Sequence, residues 1–524
     1  MIVCVFRKLV LSLHQHLRLS PYAHSIILLT IKVMAHTFST YQLAIFNHIA
    51  ESSNNLAINA VAGSGKTTTI VEAAKRIPKD KEVLFLAFNK TIANELKERL
   101  YKYPNVTCCT LHAHGLSALR DLRPQVDKYF EYNFKNTCLM NSEVLSIDSE
   151  NQYVIPFKNN CAKLYNLARI NLIKSDIYKL QDLCDNHQIE CIADEVNVIF
   201  DMLKTAYVYH EKIDFTDMLI LPLQSPRMIK KYDIVFIDEC QDLSAAQREL
   251  MLASIKPNGK FIAVGDRKQA INGFAGASCE SFDLIANLPN TDELPLSVNY
   301  RCGKKIIDLA QNIVPQITAF ENAIDGEVID VDNLKSARYG DMIISRKSAP
   351  LVDLCLKFIK NDIRAYVKGK DLGEGLINLV KKMKAKNLNS LFNKLDEEVE
   401  KVEKTAKGRN AEAKIIAFKD KVECLQVIAE SVTSIKELIS KLETIFSDSE
   451  KDSITLSTIH KSKGLEADNV FIVIPNKLPL VWKNQLDWQF EQEMNLKYVA
   501  VTRAKKKLYF VNLDEDQLKK VEVI

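Results

Sequence analysis

Residues 56–70, LAINAVAGSGKTTTI, restrict the fold of this chain more than any other stretch. An apolar run at 56–59 reads as a strand, a glycine-rich turn follows at 60–65, and Lys66, Thr67 and Thr68 open a helix. Strand, turn and helix in that order make a phosphate cradle. The backbone N–H groups of Ala62, Gly63, Ser64 and Gly65 and the positive end of the helix face a polyphosphate, Lys66 reaches the outer phosphates, and the Thr67 hydroxyl is placed to hold Mg²⁺. Ala60 stands where the usual GxxxxGK[ST] spacing has its first glycine, so the match is one residue short.

A carboxylate source for the metal follows downstream. Residues 238–242, DECQD, come directly after the apolar strand 234–237. An acidic side chain at the C-terminal end of a strand, in a fold that also carries a phosphate loop, sits where Mg²⁺ needs an oxygen ligand, and Asp238 fits that role. Glu239 beside it is the candidate base that orients and deprotonates an attacking water.

Strands and helices alternate around these two segments. Ser39 or Thr40 can cap an amphipathic segment that runs through Ile49. The helix after the loop ends before Pro78, further β-rich runs lie at 83–87 and 106–110, and a helix at 90–100 separates them. Such alternation predicts an α/β architecture, a parallel sheet with helices on both faces. Runs at 234–237 and 261–264 return to that sheet, and a second series at 342–345, 365–367, 454–457, 470–474 and 508–512 predicts a second lobe of the same kind. Each lobe is interrupted by a mainly helical insertion. The expected division is a first lobe at 34–115 and 214–290 around an insertion at 116–213, then a second lobe at 291–372 and 451–524 around an insertion at 373–450. Residues 1–33 carry apolar patches broken by Arg7, Lys8, His14, His16 and Arg18. They fall short of the roughly 18 apolar residues of a membrane span, and their charges follow the apolar start, unlike a signal peptide. They are expected to be an extension without a core, with the functional chain starting near Met34.

Composition sets wide bounds. Hydrophobic residues at 47% and charged residues at 26% are those of a globular protein. A formal charge of +4 permits nucleic-acid binding without demanding it, so a basic groove has to come from local placement. The 12 cysteines form no CxxC pair, which predicts free thiols in a reducing compartment. Cys184, His187 and Cys191 have loosely zinc-like spacing, and the alternative is buried thiols in a helical region. Lys381, Lys382, Lys384 and Lys386 either touch phosphates or form a solvated helix face.

Six boxes in order carry a family resemblance: AVAGSGKTT (60–68), DECQD, VGDRKQAINGFAGA (264–277), NYRCG (299–303), STIHKSKGLEADNV (457–470) and YVAVTRAKKKL (498–508). Their succession resembles superfamily 1 DNA helicases of the UvrD/PcrA/Rep type. LFLAFNKTIANEL (84–96) and CCTLHAHG (108–115) look most like the core of the F-box DNA helicases. The resemblance spans about residues 37–512. It implies two RecA-like lobes of a P-loop NTPase, with ATP and Mg²⁺ bound between them. It assigns Arg301 and Arg503 as the cations that reach the γ-phosphate from the second lobe, where positive charge stabilises the transition state. By the same match Gln269 senses the γ-phosphate or its water, Gln42 reads the adenine edge, Tyr300 stacks on the base, and Glu466 lies near the ribose, with Gly464 in the same nucleotide-binding set.

Single-stranded DNA is expected to cross the tops of both lobes, held by phosphate contacts and by rings on which bases stack. The matching positions are Phe88, Asn89, Lys90, Thr110, His112, Phe274, Thr458 and His460. Phe274 replaces a tryptophan and keeps a π face, and the loop at Phe88 is one residue shorter than in UvrD. Asn272 and Ala275 stand where the family has Tyr and Arg, which removes a contact that supports coupling of DNA to ATP. The insertion at 373–450 is also shorter than its UvrD counterpart. The implied activity is that of an ATP-dependent DNA helicase, translocating 3′ to 5′ on single strands and engaging single/double-strand junctions in repair, recombination or replication. It implies no membrane, and a place where DNA is: the cytoplasm of a prokaryote or the nucleus of a eukaryote. A single-strand translocase that displaces proteins with little unwinding, or an RNA helicase, remains an alternative, since backbone and stacking contacts do not by themselves distinguish sugars. A binding module with a decayed ATPase fits less well, because Lys66, Thr67, Asp238, Glu239, Gln269, Arg301 and Arg503 are all present.

Overall fold

A computed structural model describes residues 38–126, 154–174, 176–187, 189, 193–206, 211–271, 280–406, 411–447, 452–483, 485–521 and 523. The first of two large sheets has six strands: β1 (Asn55–Ala60), β2 (Val83–Ala87), β3 (Val106–Thr110), β4 (Tyr232–Ile237), β5 (Ile255–Gly265) and β6 (Thr291–Leu296). Their order is β3-β2-β4-β5-β1-β6, and every pairing is parallel. All five residues of β2 are buried, the reason its sequence is an unbroken apolar run: helices cover both faces of a parallel sheet. Because the strands run the same way, the segments after β1, β4 and β5 emerge together at one edge, the place where α/β sheets hold ligands.

The division expected at 290/291 is displaced. β6 pairs with β1 from Asn55↔Thr291 to Ala60↔Leu296, so the first sheet takes in a strand assigned above to the second lobe. Its sequence, TDELPL, lacks a continuous apolar run because only Leu296 is buried, and charged residues and proline are what an edge strand tolerates.

The second sheet has seven strands: β7 (Glu327–Val331), β8 (Met342–Ser345), β9 (Ala365–Lys368), β10 (Phe446–Ser447), β11 (Ile454–Thr458), β12 (Ala467–Val473) and β13 (Ala504–Val511). They lie in the order β7-β13-β12-β8-β11-β9-β10, again with parallel pairings throughout. The chain is therefore α/β, with two RecA-like parallel sheets.

Both interruptions are helical. Helices Val154–Ile170, Ile177–His187 and Ala193–Ala206 close a small core of their own around Leu164, Leu180, Ile199 and Met202. Arg169 anchors that core to the returning chain: it is 1% exposed, and its Nη1 and Nη2 donate to Asp214 at 2.9 and 3.0 Å while Nη2 also reaches Asp217. Cys191 lies outside the described residues, so the zinc-like trio is not assembled among them. Helices Lys370–Lys382, Leu388–Thr405, Ala411–Ala429 and Ile435–Ile445 instead share one apolar cluster with the second sheet, joining Leu395, Leu425 and Leu442 to Ile343, Val367 and Leu456. Asp420 fixes this docking by accepting the Ser348 and Ala349 N–H groups, at 3.0 and 2.9 Å, and so capping helix Ala349–Lys360 from another element. Lys381, Lys382, Lys384 and Lys386 are exposed. Among the described residues no helix is long and apolar enough to cross a membrane.

Candidate active site

The loop between β1 and helix Lys66–Ala74 has the shape its glycines allow. Gly63 and Gly65 have φ of 64° and 75°, a region that a side chain disfavours. At Gly63 space is also short, since a Cβ would stand 2.6 Å from Asn299 Nδ2 and 2.8 Å from Arg301 Cβ. Lys66 Nζ lies 3.2 Å from Glu239 Oε2, and Thr67 Oγ1 donates to Asp238 Oδ2 at 3.3 Å. The loop and the acidic box are thus in direct contact. Thr68 receives Arg99 Nη2 at 3.4 Å, on the side of the neighbouring helix.

Electrostatics around Lys66 are concentrated. Burial works against its charge, but Glu239, Asp266 and Asp238 together outweigh burial and raise its pKa above the ordinary lysine value. Burial, then the charge of Glu239, push the Asp238 carboxyl up. Burial acts on Glu239 in the same sense, yet Lys66 and Lys463 hold it below the usual range. Glu239 also has a left-handed backbone, φ 53°, which is uncommon for a residue with a side chain and marks a locally strained turn. A relay continues from it: Gln241 Nε2 donates to Glu239 Oε2 at 2.6 Å, Asp266 N–H to Gln241 Oε1 at 3.0 Å, and Gln269 Nε2 to Asp266 Oδ2 at 2.8 Å.

The opposite wall comes from residues 299–301, 463–466 and 498–503. Arg301 Nε sits 2.6 Å from Glu466 Oε2, and Lys505 Nζ lies 2.6 Å from the other oxygen. Arg301 Nη1 donates to the Thr502 carbonyl at 3.3 Å. Arg503 is 1% exposed and donates to the carbonyls of Val499 and Leu465 at 2.9 and 3.0 Å. Burial, then the like charge of Arg301, lower its pKa to about 10, while Glu239 pulls the other way, so it stays cationic at neutral pH. Lys463 crosses between lobes, donating to Asp242 and, at 2.7 Å, to the Gln269 carbonyl. Gly464 lies between this lysine and Leu465.

Some placements differ from expectation. The Ala62 N–H, expected to face phosphate, donates instead to the Tyr498 hydroxyl at 2.8 Å, and the Ala62 carbonyl accepts Asn299 Nδ2 at 2.7 Å. Ala62, Asn299 and Tyr498 are all 0% exposed, so this peptide is clamped from behind and removed from the set of free amides. Gln42 is buried, its Oε1 accepting the Ser39 N–H at 3.0 Å and its Nε2 donating to Thr69 Oγ1 at 2.9 Å, which ties it to the helix after the loop. The Tyr300 ring packs 5.0 Å from Phe320, and its N–H donates to the Gly63 carbonyl at 2.9 Å. Asn299, Tyr498, Lys463 and Gln241 were not singled out from the sequence, although the NYR, YVAVTRA, KSKG and DECQD boxes contain them.

The expected DNA positions gather at the C-terminal strand edges. Phe88 is 43% exposed after β2; Asn89 caps helix Lys90–Leu100, whose first residue Lys90 is exposed. Thr110 caps helix Leu111–Ala118, where His112 meets the ring of Phe215 edge-on at 6.0 Å. Phe215, 52% exposed, is an aromatic that the sequence reading missed. Thr458 ends β11 in the other lobe, and His460 lies in the turn just after it. Phe274, Asn272 and Ala275 lie outside the described residues.

A phosphate loop, an adjoining acidic box and two arginines brought to the same junction by a second parallel sheet define a P-loop protein with two RecA-like lobes. The chain belongs to the UvrD-like helicase family: residues 40–289 match the UvrD/REP helicase N-terminal domain and residues 374–515 the UvrD-like helicase C-terminal domain. It is 25% identical over 514 residues to F-box DNA helicase 1 of Gallus gallus, an alignment that takes in 89% of this chain and 48% of that protein. With F-box DNA helicase protein 1 of Schizosaccharomyces pombe it shares 25% identity over 499 residues, 86% of this chain and 55% of the other. A probable DNA helicase II homolog of Mycoplasma genitalium is 24% identical over 589 residues, covering 86% and 81%. The chain spans about half the length of the two F-box proteins.

Proposed function

We propose that this chain is an ATP-dependent motor that moves 3′ to 5′ along single-stranded DNA and separates duplex at single/double-strand junctions, in DNA repair, recombination or replication. The observation that carries this reading is the junction where the loop of Lys66 and Thr67, in contact with Asp238 and Glu239, packs on the second lobe through Gly63 against Arg301 and Ala62 against Tyr498, with Arg503 near enough to Glu239 to feel its charge. Hydrolysis at such a seam depends on how the lobes sit together, and a strand lying across both lobes feels every change in that fit.

Each side chain then has a task. Lys66, Arg301 and Arg503 supply positive charge where negative charge collects on the oxygens of the transferred phosphoryl group, in a setting screened from water that strengthens the effect. Glu239, held ionised, accepts a proton from the attacking water, and Gln269 orients that water through its hydrogen bond to Asp266. The oxygens of Thr67 and Asp238, 3.3 Å apart, are hard donors of the kind Mg²⁺ takes, so these two residues would hold it beside the phosphates. When bound, the metal neutralises phosphate charge. Gln42, Tyr300 and Glu466 form the nucleoside side, with Gly63, Ser64, Gly65 and Thr68 on the phosphate side. Phe88, Asn89, Lys90, Thr110, His112, Phe274, Thr458 and His460 hold the strand.

The test is phosphate release from ATP with and without an oligothymidylate, beside Lys66→Ala. The expected result is strong stimulation in the parent and background turnover in the variant. Parent turnover that ignores DNA would sink the motor reading. Strand-displacement and protein-displacement assays side by side separate unwinding from protein stripping, and matched RNA oligonucleotides test the sugar preference.

A further inference from the structure

On the nucleoside side of the site stands a side chain whose polar atoms are already engaged. Gln42 is 1% exposed. Its N–H donates to Ser39 Oγ at 3.3 Å and its Oε1 accepts the Ser39 N–H at 3.0 Å, the reciprocal cap of helix Thr40–Glu51. Its Nε2 donates to Thr69 Oγ1 at 2.9 Å, and that hydroxyl donates onward to the Gly65 carbonyl at 3.0 Å. Thr69 is 0% exposed. The contacts therefore run from the start of one helix, through a buried amide, to the glycine that ends the phosphate loop.

A carboxamide reads a base by offering one end as donor and the other as acceptor to the base edge. In Gln42 each end is engaged by protein, and the remaining N–H and lone pair lie beneath the surface with it. Freeing the amide would give up half of the helix cap and leave the buried Thr69 oxygen without its donor, two losses that a base contact has to exceed. What stays open on this side is flat. The Tyr300 ring is half-buried, lies 5.0 Å from Phe320 at 43° to it, and is held by its own N–H on the Gly63 carbonyl at 2.9 Å. Such a ring stacks on any base, because every base has a π face.

We infer that Gln42 is a positioning residue for the phosphate loop and not a reader of adenine, so that the site selects nucleoside triphosphates by phosphate and stacking and accepts GTP, CTP and UTP beside ATP. This rests on the reading of the seam between the lobes as the place of nucleotide hydrolysis. A site built to hydrogen-bond a group rejects the analogue lacking it by about 10⁴-fold or more, and stacking alone discriminates far less.

The test uses the full chain and the four nucleotides in two arms: kcat/KM for each with oligothymidylate present, and displacement of a fluorescent ATP analogue by each without DNA. GTP should fall within roughly tenfold of ATP in both arms. Gln42→Ala and, separately, Thr69→Val should lower kcat/KM for ATP and GTP by a common factor, leaving their ratio within about twofold of the parent's, because both act on the loop and neither on the base. A parent preference for ATP beyond the tenfold margin would overturn the assignment, as would a ratio that moves in Gln42→Ala while Thr69→Val leaves it unchanged. Nucleotides that displace the analogue alike while DNA leaves turnover unaltered would keep this inference and sink the motor reading. DNA-stimulated turnover confined to ATP would do the reverse.

Discussion

The clamp on Ala62 offers a direct measurement. Its N–H ends on the Tyr498 hydroxyl at 2.8 Å, with both residues fully buried. Tyr498→Phe deletes one oxygen and keeps the ring, so packing is nearly unchanged while a buried donor loses its partner, a loss of about 1–3 kcal/mol. The two residues belong to different lobes, and the loss therefore falls on the docking of the phosphate loop against the second lobe rather than on either sheet. At tenfold per 1.4 kcal/mol, opening of the loop becomes about 5- to 140-fold more frequent. Amide hydrogen exchange read at residues 61–64 should report that increase, with β2 and β12 unchanged as internal references. The turnover number for ATP should fall alongside it. Protection at Ala62 equal to that of the parent would refute the view that the second lobe holds the loop.

Other perturbations follow from the same geometry. Gly63→Ala introduces a methyl group at a φ of 64° and within 2.6 Å of Asn299 Nδ2; it should abolish nucleotide binding, measured by titration with a fluorescent ATP analogue, and lower the thermal midpoint. Arg169→Ala leaves Asp214 and Asp217 buried without their cation and should destabilise the first insertion by about 3–5 kcal/mol, seen as early loss of helical signal in urea. His114 is held neutral by burial, with its pKa lowered to about 4 from an ordinary 6.5. Its share of stability is intact above about 6.5 and is lost as pH falls toward about 4, so the thermal midpoint should fall toward the acid side of that window, and His114→Gln should flatten the dependence.

The strands at 83–87 and 342–345 were legible because they are buried on both faces, and burial on both faces writes itself as an apolar run. The edge strand β6 carries no such signature; its place is set by pairing with β1, a fact about a partner more than 200 residues away. The acidic box and the phosphate loop could be read because each chemistry demands particular residues at short spacing. The clamp could not, since Ala62 and Tyr498 are 436 positions apart and nothing local to either one names the other. Phe215 escaped for a related reason: a lone aromatic in a run of ordinary residues gains meaning only when His112 is seen edge-on to it.

The second insertion has no separate interior, since Leu425 and Leu442 pack into the same apolar mass as Val367 and Leu456. A trimmed derivative that lacks 373–450 would bare the flank of its own sheet to water and lose the carboxylate seated on the start of helix Ala349–Lys360. Shortening of that bundle therefore leaves the sheet covered only where it touches the outer turns, whereas the core around Leu164 and Ile199 closes on itself and meets the rest of its lobe through Arg169.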